Sequence, residues 1–304
     1  LRASKQKTMS KLGKMALLTI LGTCIALCLG ISASAETHSG TVSNYEGQEF
    51  SWEVNTDTGI LTIECSETGT FPYTTVPCPW EEWEESIQIL MLLGPGHLGW
   101  TPPDSELQKS LKRIAPKTIT SRWGDGFSWV YDRETKPLTY SGNGRTEEYG
   151  WSFDFSDGYP IEKVVVEEGY VWGPVYSSAK MLVLPSTICF PENSREWTFG
   201  ADYIEISPSN PHFCSYDGAV YSKDGSSLYY ASRADVNFHP NLRYLEQSSL
   251  QISPGEGEIV LPWGLLTVNG GAFQRLMNVT VILPDTLTFV SPDSNYLFEM
   301  SRDK

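Results

Sequence analysis

The sequence predicts a β-rich fold in which N-terminal β modules lead into a solenoid of short parallel strands. Three observations predict it: one pattern occurs twice in the first half, each copy alternates apolar and polar residues, and another pattern recurs after 22 residues near the end. Strict alternation marks half-buried strands, and a period in the twenties marks stacked repeats.

The first segment belongs to neither part. Lys11 and Lys14 precede an uncharged apolar run, Met15 to Ile31, which leads into Ser32-Ala33-Ser34-Ala35 ahead of Glu36. A charged start, an apolar middle and a small-residue site make residues 1–35 a secretory signal peptide cleaved after Ala35. The run falls short of the roughly 20 apolar residues that span a bilayer, so no membrane span is expected after cleavage. Residues 1–8, ahead of Met9, read as an upstream extension. Cys24 follows Thr23 and Cys28 follows Leu27, neither of which suits a lipid-attachment site.

The whole chain carries a net charge of −15, and because residues 1–35 hold five cations and no acid, the remainder carries −20. Such a chain repels phosphates and shows no basic stripe, which argues against nucleic acid as a partner. Cys65, Cys78, Cys189 and Cys214 remain after cleavage. An even number in an exported chain permits disulfides, and Cys65 and Cys78 lie close enough to close a short loop. Two buried thiols packed as small hydrophobes are the alternative.

The duplicated pattern fixes the modules. Phe50-Ser51-Trp52 is followed by Leu61-Thr62, and Phe127-Ser128-Trp129 is followed at the same separation by Leu138-Thr139. Trp80 then precedes Ile87 to Leu90, as Trp151 precedes Ile161 to Val166. The first β module therefore occupies residues 36–122 and the second residues 123–169, leading into repeats over 170–304. Phe50, Trp52 and Val54 alternate with polar residues, Asp57-Thr58-Gly59 supplies a turn, and Ile60 to Glu64 alternates again, which predicts a hairpin. Pro79-Trp80-Glu81-Glu82-Trp83-Glu84-Glu85-Ser86-Ile87 reads as a short amphipathic helix that buries Trp80 and Trp83 and leaves its acids in solvent.

Further on, Ile259-Val260-Leu261-Pro262 recurs as Val281-Ile282-Leu283-Pro284, and Leu265 with Val268 recurs as Leu287 with Val290. Leu182-Val183-Leu184-Pro185-Ser186-Thr187-Ile188 fits the same template. A leucine-rich solenoid follows, with Leu261 and Leu283 at equivalent inward positions on adjacent parallel strands.

The stretch Ile259 to Val290, with Gly271-Ala272-Phe273 between its two Leu-Pro strands, resembles the BspA-like leucine-rich repeats of bacterial surface proteins. So does Tyr203-Ile204-Glu205-Ile206-Ser207-Pro208 running on through Asp217-Gly218 and Asp224-Gly225 to Leu228-Tyr229-Tyr230. The resemblance implies a right-handed β/α superhelix-type solenoid with a β-hairpin inserted at 207–232. It also implies a secreted or cell-surface role in adhesion, with no catalytic residues and no cofactor. Independently of it, both Asp-Gly pairs predict tight turns.

Chemistry is sparse elsewhere. His38, His97, His212 and His239 lie far apart without ligand spacing, so no metal is expected. Glu81, Glu82, Glu84 and Glu85 are the most glycosidase-like feature, but carboxylates within one helical turn do not flank a cleft. Asp154, Asp157 and Gly158 read as a turn in preference to a calcium loop, and Gly255 and Gly257 as a loop. The heavy aromatic load leaves Tyr221, Tyr229 and Tyr230 of the inserted hairpin as candidate binding residues, with packing against the solenoid as the alternative. The leading function is a non-enzymatic protein-binding or adhesion role toward a protein or glycan ligand on a host or bacterial surface. A carbohydrate-binding module using exposed aromatics is the second reading, and a glycoside hydrolase the third.

Overall fold

Three copies of one strand arrangement organise the chain, and the first shows how sequence makes it. In the computed structural model, β1 (Thr37–Ser43), β2 (Glu49–Asn55) and β3 (Ile60–Cys65) form an antiparallel meander. Phe50, Trp52 and Val54 are buried while Glu49, Ser51 and Glu53 face solvent, as the alternation requires. Gly59 closes the turn at φ 66°, and a Cβ there would stand 2.7 Å from the carbonyl of Ser86, so only glycine fits. After a 3₁₀ turn at Glu81–Ser86, β4 (Ile89–Leu93) returns parallel to β3. Helix α1 (Glu106–Ile114) then leads to the next copy.

The structure describes residues 36–44, 47–65, 78–94, 106–124, 126–146, 160–172, 179–189, 200–252, 257–273, 276 and 279–290. The chain divides into two units, Leu1–Glu36 and Thr37–Lys304, and every element described belongs to the second. The expected signal peptide, His97, Trp151, Asp154, Asp157, Gly158 and Gly255 lie outside the described residues.

The second copy repeats the first strand for strand. β5 (Thr118–Trp123), β6 (Phe127–Asp132) and β7 (Pro137–Ser141) form a meander, and β9 (Lys163–Val166) returns parallel to β7. The short strands β8 (Gly144–Arg145) and β10 (Tyr170–Trp172) pair beside it. Parallel strands β11 (Met181–Leu184) and β12 (Tyr203–Ile206) extend the ladder, giving ten strands in one sheet among the described residues.

The hairpin expected as an insertion between repeats is built as a third copy. β13 (Phe213–Tyr216), β14 (Ala219–Ser222) and β15 (Ser227–Tyr230) form the meander, and β16 (Tyr244–Leu245) returns parallel to β15. Asp217 and Gly218 both have positive φ, 48° and 79°, which is the two-residue turn that Asp-Gly predicts. The repeats follow: β17 (Gly257–Val260) pairs with β19 (Val279–Ile282), and β18 (Thr267–Val268) with β20 (Phe289–Val290), all parallel and offset by 22 residues.

Register makes the three copies equivalent at the core. Val54 faces Leu61, which neighbours Leu90; Tyr131 faces Leu138, which neighbours Val164; Tyr221 faces Leu228, which neighbours Leu245. All nine side chains are fully buried. Burying one such side chain stabilises by about 1.5–3 kcal/mol, so these rows hold the strands in register.

Several expectations change. The segment after Pro79 is a 3₁₀ turn, and Glu84 is buried within it because α1 delivers Arg113 to its carboxylate. Trp80 is buried and donates Nε1–H to Ser110 Oγ at 2.9 Å, whereas Trp83 is only half-buried. Leu261 is 3% exposed but Leu283 is 41% exposed. The two occupy equivalent places, yet the last described repeat has no described repeat packed beyond it, so its apolar side stays open. Cys65 and Cys78 are both buried in one core.

Candidate functional site

The three parallel strands β9, β11 and β12 present alternate residues to the core and to the opposite face. Val164, Leu182 and Ile204 point inward, while Val165, Val183 and Glu205 form a row on the other face. The turn of the third module folds over the end of this face. Ile204 N–H donates to Gly218 O at 2.9 Å, and Ile206 N–H donates to Ser215 Oγ at 3.1 Å. A Cβ on Gly218 would meet the Tyr203 ring at 2.5 Å, so glycine is what lets the turn lie against that ring.

Between strands and turn runs a groove of about 810 Å³. Its apolar lining includes Val166, Val183, Leu184 and Ile206, with Pro185 and Pro208, and its charged lining is Glu167, Glu168, Glu205 and Asp217. None of its lining residues is basic.

Three of the four carboxylates are held in place. Glu167 accepts Ser141 Oγ–H at 2.7 Å. Glu168 accepts Ser186 N–H at 2.9 Å and its Oγ–H at 2.7 Å, and these bonds hold its pKa below the usual carboxylate value. Asp217 Oδ2 accepts both the backbone N–H and the side-chain amide of Asn237, at 2.7 and 2.9 Å. Glu205 is exposed. Two cations border the groove without lining it: Arg233 lies 5.8 Å from the Tyr203 ring centroid and 4.0 Å from Asp217, and Lys223 Nζ donates to Pro208 O at 2.8 Å.

The expected binding tyrosines are elsewhere and face inward. Tyr221 and Tyr230 are 0% and 1% exposed, and Tyr229 is half-buried, edge-on to Phe213. The Tyr221 hydroxyl oxygen accepts the backbone N–H of His239, and burial raises the Tyr221 pKa. As the meander of a third module, this segment uses its aromatics to fill core positions, which removes Tyr221 and Tyr230 from any partner's reach. The groove residues carry little local signal in the sequence beyond Glu167, Glu168 and Pro185 following strand-like runs.

Other candidates do not converge. Among the described residues, no three His, Cys, Asp or Glu side chains group as metal ligands. His38 stacks on Trp83 at 4.0 Å, and His239 packs against Tyr216 and Tyr221. Glu81 and Glu84 share Arg113, at 3.8 Å and in a direct pair, and do not face each other across a cleft. No helix among the described residues is long and apolar enough to cross a membrane.

No family model matches the chain, and neither does any curated protein. Two solved structures are similar to it. One is a leucine-rich repeat protein from Eubacterium ventriosum, at 11% identity and TM-score 0.36, with 86% of this chain and 77% of that one covered. The other is the pneumococcal vaccine antigen PcpA, at 14% identity and TM-score 0.35, with 82% and 71% covered. Neither likeness bears on what this chain binds.

Proposed function

We propose that this chain is a secreted or cell-surface leucine-rich-repeat protein, of the BspA-like kind its repeats resemble, that binds a protein ligand without catalysis. The observation that carries the reading is the groove over β9, β11 and β12. Its walls are ordered strands and a pinned turn, so the surface is preformed, and preformed surfaces bind with less ordering cost than loops that must fold. Secretion is supported by the layout of residues 1–35. Binding in place of chemistry fits carboxylates that are tied by serine and asparagine donors, since a general acid would need a raised pKa and Glu168 has a lowered one.

Site-specific photo-cross-linking tests it. A photoreactive residue replacing Val183 in the groove should form a discrete protein adduct with a cell-surface protein extract, and the same residue replacing exposed Val130 should not. Equal labelling at both positions, or at neither, overturns the reading.

A further inference from the structure

The groove's chemistry also specifies what kind of protein segment it takes. We propose that it docks an extended segment of a partner protein that carries arginine or lysine side chains. This inference rests on the protein-binding reading above and names the partner's chemistry.

Four observations carry it. The lining joins an apolar floor to four carboxylates and contains no cation, so an occupant gains by offering apolar contact and positive charge together. A neutral or acidic segment would desolvate Glu167, Glu168 and Glu205 without a counter-charge, which is costly, whereas Asp217 already has Arg233 at 4.0 Å. The carboxylates of Glu167, Glu168 and Asp217 are already oriented by Ser141, Ser186 and Asn237, so a cation meets fixed acceptors. At the border of the groove, Arg233 sits over the Tyr203 ring and near Asp217, showing that this aromatic and acidic edge accommodates a guanidinium. Finally, the chain's net charge of −15 draws basic partners from a distance and repels acidic ones.

A bare divalent ion is a poorer fit. Among the described residues these carboxylates do not group as a metal-ligand set. A segment with charges spaced along an extended backbone matches carboxylates supplied by the turn after β9, by β12 and by the turn between β13 and β14.

The test uses the chain from residue 36 onward and a fluorescein-labelled, end-capped octapeptide alternating arginine and valine. Fluorescence anisotropy at low and moderate salt should show binding that weakens as salt rises. A peptide with glutamine in place of arginine should bind at least tenfold more weakly. The triple variant Glu167→Gln, Glu168→Gln, Glu205→Gln should lose at least tenfold in affinity for the arginine peptide. The remote triple Glu49→Gln, Glu53→Gln, Glu64→Gln, on exposed positions of the first module, removes the same charge and should change affinity less than twofold. Glu205→Lys alone, at an exposed position, should weaken binding with circular dichroism and melting unchanged.

Three results overturn the proposal: equal losses in both triples, which would mean net charge alone; wild-type affinity in the groove triple; or no preference for arginine over glutamine. Cross-linking at Val183 that survives the groove triple would leave the protein-binding reading standing while this inference fails.

Discussion

Glu84 and Arg113 meet end to end, Nε to Oε2 at 2.5 Å and Nη2 to Oε1 at 2.8 Å, tying the 3₁₀ turn to α1. The carboxylate side is 8% exposed and the guanidinium side 43%. Removing the cation therefore leaves a nearly buried charge without its counterpart. Arg113→Ala is expected to destabilise by about 1–3 kcal/mol, below the range for fully buried pairs because one partner is wet. Adding Glu84→Gln to it should recover part of the loss. Urea unfolding of the two single variants and the double variant measures the coupling.

Asn210 ties its own turn to the segment Ser186 to Ile188 from a fully buried position. Its amide donates to Ser186 O and Ile188 O, and its Oδ1 accepts the N–H groups of His212 and Phe213. Asn210→Ala strands four backbone groups at once and is expected to cost about 3 kcal/mol. Asn210→Asp keeps the two accepting bonds but sets a carboxylate against two carbonyls, so it should not rescue. Unchanged midpoints in urea for either variant would contradict this.

Ser249 is the opposite case. Its hydroxyl is buried and finds no hydrogen-bond partner. The ladder offset from β16 to β18 is 23 residues, which makes buried Ala272 its counterpart in the next repeat. Ser249→Ala should be neutral or stabilising by about 1 kcal/mol, since it removes an unsatisfied group without opening a cavity. A thermal midpoint that falls would mean the hydroxyl has a role.

The two equivalent leucines should separate in mutagenesis. Leu261→Ala is expected to cost about 2–5 kcal/mol, as for a buried leucine. Leu283→Ala, 41% exposed, should stay near about 0.5 kcal/mol. Equal costs would show that Leu283 is covered in solution.

Asp224 gives the turn between β14 and β15 a pH dependence. Ser222 Oγ–H, Ser226 N–H and Ser226 Oγ–H all bond to its carboxylate, which lowers its pKa to about 2. A depressed folded-state value means that the stabilisation is complete above the ordinary aspartate range near 4 and disappears as pH falls toward 2. The stability difference between wild type and Asp224→Asn should therefore be constant from pH 5 to 7 and shrink between pH 4 and 2.5. Urea titrations at those pH values measure it.

Much of this architecture is legible in the sequence because period-two alternation and Asp-Gly turns are local signals. The strands around Phe50–Val54 and Phe127–Tyr131 lie where alternation puts them. The third module is less legible because Phe-Ser-Trp marks the first two copies, whereas the bulge at Val220 and Tyr221 puts Val220, opposite Tyr230, at the place of Trp52 and Trp129. Its seven-residue spacing from Tyr221 to Leu228 does match Val54 to Leu61 and Tyr131 to Leu138. The burial of Glu84 is not legible locally, because its partner Arg113 lies 29 residues away. The groove was hidden for a similar reason. Its strands are offset by 18 residues from Val164 to Leu182 and 22 from Leu182 to Ile204, an uneven spacing that blurs the repeat.

The bonds from Ile204 N–H to Gly218 O and from Ile206 N–H to Ser215 Oγ reach beyond shaping a groove. Tyr203 and Ser207 donate their N–H groups to Lys180 O and Leu184 O on the β11 side, so alternate donors along the last strand of the large sheet are engaged on opposite sides. An open strand edge of this kind is a template on which another chain can align and polymerise. Here the third module covers the edge of the large sheet at β12, with the Gly218 carbonyl and the Ser215 hydroxyl taking the donors that a further strand would need.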